Sequence, residues 1–409
     1  CLVVSEMCIR YRLAPSVTHP AASAPSFDGL AAAASGFSAV LSLDGLARLH
    51  LGAGVDGRIF GVHAAAVAPV RIAVARARNA VWVCRGGDCR VLLTAVKAWT
   101  GHMTARGPLL AALVLLWLAG RIAAVCAPYT VFAVVDMLFL PAVAVVLLRV
   151  LFKSGNTRNI PLISLLLLMS VANLCFHLTQ LNLVDWDPLR PLYAELGLIL
   201  MVVSVMTGRV VPMFTRNVTP GLVINTSRSF ELGLLAVTGV TLLLWVGAAP
   251  AALVATACAI TAVLHAIRLY RWSPWVTLKR PILWILHLSY LWMPIGFAML
   301  AGAELGWMRT TFAIHALTVG VIGGLIIGML TRTARGHTGR PLQASRGETV
   351  AYALVLLATV IRAVVPALVP AWYPRAIEIS ATFWALAFAI YLVIYTPWLL
   401  RSRLDGKDG

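Results

Sequence analysis

Ten hydrophobic runs constrain this chain more than any other feature. They fall at about 108–126, 130–151, 160–181, 190–214, 230–248, 250–269, 282–303, 312–331, 349–367 and 377–400. Each is close to the ~20 residues that carry a helix across a bilayer. In lipid every backbone N–H and C=O needs an internal partner, so runs of this length specify helices. A transmembrane barrel would show short alternating segments, whereas these runs are continuous. The expected class is therefore all-α, a polytopic transmembrane helical bundle of about ten helices. A composition of 60% hydrophobic and 12% charged residues excludes an ordinary soluble domain.

The formal net charge is +18. In a soluble protein that excess would point to nucleic acid, but here the cations sit between the runs and set topology instead. Basic loops hold Lys97 and Arg106, Lys153 and Arg158, Arg216 and Arg228, Arg271, Lys279 and Arg280, the Arg332–Arg346 group, and the tail with Arg401, Arg403 and Lys407. Between them Ala127–Tyr129, Val184–Asp187, Ala249 and Ala303–Trp307 are neutral or acidic. This alternation predicts a cytoplasmic C-terminus, with lipid as the surrounding partner and no role for nucleic acid. Seven Cys without CxxC spacing argue against a disulfide framework.

Residues 1–91 break the pattern. Cys1–Arg12 resembles translated sequencing adapter, and the stretch after it reads as coding sequence in a shifted frame. Dropping the first base of each codon, with permissible codon choices, turns Ser35–Ser42 into PGFRPFFL and Val74–Val91 into WHAHEMLFGFAAAAIAGF. Sense resumes at Leu92. The expectation is an adapter-derived, frameshifted segment over 1–91 that is not natively folded, and a transmembrane domain over 92–409.

Orientation gives each polar residue a depth. His177, in ANLCFHL, and His315, at the start of its run, lie toward the outer face; Asp136 and Glu195 share that half. On the inner side are His287 (LHLSYLWMPIGF), His337, Arg209, Met213, Arg216 and Asn217, with His265 beside Arg268 and Tyr270 at the interface. His315 and His337 are separated by 22 residues, roughly 33 Å if helix continues, so one imidazole marks each side. Between them Thr318, Gly320, Gly323, Gly324 and Gly328 allow a neighbouring helix to come close. Ionisable residues within a bilayer are costly and point to function. Neutral imidazole is the usual ligand of haem iron and copper, yet a single buried His is as readily explained by an interhelical hydrogen bond. Arg209 and Arg216 suit either a haem propionate or ordinary interfacial anchoring. No phosphate loop, carboxylate pair or nucleophile–His–acid set is present. The residues alone leave a metal-bearing membrane protein beside a secondary transporter whose His, Asp136 and Glu195 form a proton or substrate path.

LLTAVKAWTG (92–101), LLWLAGRIA (115–123), ANLCFHL (172–178), GRVVPMFTRN (208–217), LHLSYLWMPIGFA (286–298) and HALTVGVIGGLIIGMLTRTARGHTGRPL (315–342) resemble the NnrS family, in order and over essentially all of 92–400. The resemblance implies a bacterial inner-membrane protein of about twelve helices. It also implies that the protein contains haem and copper and is linked to nitric oxide metabolism and resistance to nitrosative stress. It makes His177, His287, His315 and His337 candidate metal ligands and adds Arg209 and Asn217 to the cofactor-binding set, without dividing them between haem and copper. Nitric oxide is the implied small-molecule ligand, and turnover is not decided. The family's N-terminal signatures, close to GFRPFFL and WHAHEMLFGF, appear only in the shifted frame. Its His-x-His-Glu pair is thus replaced around Ala75 and Ala77. The expectation is an outer site that combines the lost pair with His177, His315 or both.

Overall fold

A computed structural model describes residues 107–155, 159–224 and 226–401, together with Thr100, His102 and Ala105. The expected boundary between 1–91 and the membrane domain lies outside these residues. Ten helices are long and apolar enough to span a membrane, and no strand occurs among the described residues. They are α1 (Gly107–Cys126), α2 (Tyr129–Ser154), α3 (Ile160–Gln180), α4 (Leu189–Val218) and α5 (Arg228–Val246). The second half comprises α6 (Ala251–Arg271), α7 (Pro281–Glu304), α8 (Thr310–His337), α9 (Arg346–Leu368) and α10 (Pro370–Leu399). The hydropathy runs thus fix both number and order, with α8 extending several residues past its apolar stretch.

Short turns make sequential helices antiparallel neighbours from α1 to α8, and α10 packs on α9 and the end of α8. α7 is the centre: it touches α4, α6, α8 and α9, and with α8 it is the most buried span. Lipid gives no hydrophobic drive between helices, so close backbone approach must supply the contact energy. The glycines of α8 provide it. A Cβ on Gly320 would lie 2.5 Å from Trp292 Cγ, on Gly324 2.2 Å from Ser289 Oγ, and on Gly328 2.9 Å from Leu286 Cδ2. These three form a stripe against α7, while Gly323 faces Trp384 of α10 at 2.3 Å.

α8 and α9 are not uniform. Ala316–Gly323 and Val360–Val364 are wound as wide π turns, and the two segments pack together. Such turns inside α-helices occur often at functional sites. α8 continues to His337 with Arg335, in its last turns, buried against a partner. Arg335 makes a forked pair to Glu348, Nε to Oε1 at 2.8 Å and Nη2 to Oε2 at 2.5 Å, and Tyr395 also donates to Glu348. The same Glu348 closes a capping box with Ser345 that starts α9. One carboxylate therefore joins three helices.

Candidate histidine sites within the bundle

His315 sits half-buried where α8 passes into its π segment. Its Nδ1 donates to the carbonyl of Thr311 at 2.6 Å, one turn back. A neutral ring protonated there has a lone pair on Nε2, and no hydrogen-bond partner reaches that atom among the described residues. Fixing Nδ1–H on a main-chain carbonyl is how metal-ligating imidazoles are commonly oriented. Arg362, in the π segment of α9, lies within electrostatic reach of the ring. Tyr373, on α10, receives the guanidinium groups of Arg309 and Arg362 at 5.7 and 5.9 Å from its centroid.

His177, the other imidazole expected on the outer side, is arranged differently. It is 2% exposed, ringed by Tyr129, Phe132 and Phe176. Nε2 lies 2.9 Å from Asp136 Oδ2, and Nδ1 lies 2.9 Å from the Tyr129 hydroxyl. The carboxylate accepts from Nε2–H, so Nδ1 accepts from the phenol, and both nitrogens are used. Asn173 donates to the same Asp136 oxygen at 2.9 Å. α3 packs between α2 and α4, whereas the start of α8 packs on α7 and α9, so His177 and His315 belong to different packets of helices.

His287, expected on the inner side, is 2% exposed and surrounded by acceptors. Nδ1 is 3.2 Å from the Leu283 carbonyl, Nε2 is 3.3 Å from Thr215 Oγ1, and the main chain of Trp272 lies beside the ring. Thr215 has already given its hydroxyl hydrogen to Val211 O at 2.9 Å. A neutral ring donates once, so its other nitrogen keeps a lone pair that no neighbouring hydrogen meets. His337 closes α8, half-buried. Gly328 is the residue level with Leu286, and nine residues further along α8 is about 13 Å of rise. His287 and His337 therefore stand at different depths. Arg209 donates to Asn159 Oδ1 at 2.8 Å, and Asn217 is exposed at the end of α4.

His265, expected at the interface, is fully buried. One arrangement satisfies every group around it. Arg268 Nη1 donates to the Tyr290 hydroxyl (3.1 Å), Tyr290 to His265 Nδ1 (2.5 Å), His265 Nε2 to Thr238 Oγ1 (3.1 Å), and Thr238 to Leu234 O (2.7 Å). Arg268 is 1% exposed and also pairs with Glu231 and bonds Ser204 O at 2.9 Å. Gly208 makes room for it: a Cβ there would lie 1.8 Å from Arg268 Nη2. Depth along the chain missed this cluster, because Glu231, Ser204 and Tyr290 come from three other helices. The unusual signal was an Arg within helical spacing of a His inside an apolar run.

No group of three His, Cys, Asp or Glu side chains that could hold a metal ion comes together among the described residues. The arrangement fits a metal bound through one imidazole, as haem iron is, at His315 or His287; a several-ligand copper site needs donors beyond these residues. Among protein families, residues 91–403 match the model described as NnrS protein. No curated protein matches the chain.

Proposed function

Because this chain belongs to the NnrS family, we propose that it is a haem- and copper-binding protein of the bacterial inner membrane, with a cytoplasmic C-terminus, that serves the response to nitric oxide. The observation that carries this reading is His315. Its Nδ1–H is fixed by Thr311 O at 2.6 Å, and its Nε2 is left to a ligand beside a pair of π turns. A haem iron or copper held there would supply the metal to which nitric oxide binds. His287 offers the second lone pair, on the inner side. The Asp136–His177–Tyr129 triad holds α2 against α3 and keeps His177 in one tautomer. His337, Arg209 and Asn217 remain in the proposed cofactor-binding set from the family resemblance. Purified protein should show a Soret band with iron and copper on elemental analysis, and His315→Ala should remove most of the Soret absorbance. A colourless, metal-free, stable protein would instead favour a transporter.

A further inference from the structure

The basic-loop end of the bundle encloses a cavity of ≈ 580 Å³ between the end of α4, the start of α7, the last turns of α8 and the 341–344 segment. The charged side chains lining it are Lys279, Arg280 and Arg332, all cations. Lys279 and Arg280 are exposed at its rim, and Arg280 gives Nη1 to Val218 O at 2.6 Å. Arg332 is only 5% exposed, with its guanidinium 3.8 Å from the centroid of Phe214. Among the described residues no acceptor meets its Nη1 or its Nη2.

These two unmet donors set Arg332 apart from the other buried arginines. Arg335, one turn away, has its fork filled by Glu348 and its Nη1 on Pro341 O at 3.0 Å. Arg268 is filled by Glu231, Ser204 and Tyr290. A desolvated guanidinium is costly unless an anion or acceptors complete it. Its two free Nη groups form a planar fork that matches two oxygens of one oxyanion.

We infer that this cavity binds a phosphate-class oxyanion, with Arg332 as the bidentate anchor on its floor and Lys279 and Arg280 gathering charge at the mouth. The cavity is far larger than a halide requires. Basic pockets between membrane helices are also a recurrent way of holding lipid phosphates. The same chemistry would serve an anionic phospholipid headgroup or a free phosphate. The inference does not depend on haem or copper.

The test is thermal unfolding of the full chain in detergent, with inorganic phosphate, phosphatidylglycerol or, as control, phosphatidylcholine. A ligand that binds the folded state raises the unfolding temperature. Wild type should gain stability from phosphate or phosphatidylglycerol and not from phosphatidylcholine. Arg332→Gln should abolish the gain, the Lys279→Gln/Arg280→Gln pair should weaken binding at least about tenfold, and Lys153→Gln should behave as wild type. A response to inorganic phosphate identifies a free anion. Retention of phosphatidylglycerol in native mass spectrometry without that response identifies a lipid. The proposal is overturned if neither ligand stabilises wild type, or if the cavity variants respond as wild type does. Should Arg332→Gln fail to fold, the exposed rim pair alone decides.

Discussion

A histidine in this bundle is defined by where its single ring proton goes. At His177 the proton goes to Asp136 and the lone pair takes one from Tyr129; at His315 the proton goes to Thr311 and the lone pair is left over. The two substitutions should therefore separate. His177→Ala leaves the Asp136 carboxylate buried with a partner removed and should cost ~3 kcal/mol, read by denaturant unfolding in detergent. His315→Ala removes no strong interhelical bond; it should cost under ~1 kcal/mol while lowering haem content severalfold. The sequence places both rings at the same depth but cannot distinguish them. Tyr129 is 48 positions and Asp136 41 positions away from His177, and only the packing of α2 on α3 brings them within reach.

Among the elements, the glycine stripe of α8 determines how close α7 can lie. Gly324→Val would force a side chain into Ser289, where a Cβ alone would already be at 2.2 Å. It should destabilise the protein by about 2 kcal/mol or more. Gly208→Val acts on a different pair of helices by displacing Arg268 from Glu231, and a comparable loss is expected. Gly306, at φ +78, offers a calibration: a Cβ there would meet nothing within 4 Å, and Gly306→Ala should cost only about 1 kcal/mol. Helix number and order were readable in the runs because hydropathy depends on one segment at a time. The continuation of α8 to His337 was not, since Arg332 and Arg335 look like loop cations until Phe214 and Glu348 are placed beside them. The π turns left no signature in the apolar pattern.

Across the whole molecule, cations concentrate at one end of the helices, although Arg190, Arg309 and Arg375 stand at the other. A reporter fused after α10 should be active only in a form that works in the cytoplasm; activity of a periplasm-dependent reporter would reverse the topology. Restoring the frame before Leu92 should return the His pair expected at 75 and 77 and raise copper per chain. Equal copper in both forms would remove the lost pair from the site. The row of hydrogen bonds from Arg268 through Tyr290 and His265 to Thr238 has a consequence for a protein embedded in an energised membrane. Every donor in it points the same way, and the row stops at a main-chain oxygen that has no proton to pass on. It ties three helices together and offers a proton no exit at Leu234, so Tyr290→Phe should leave the proton permeability of vesicles carrying this protein unchanged.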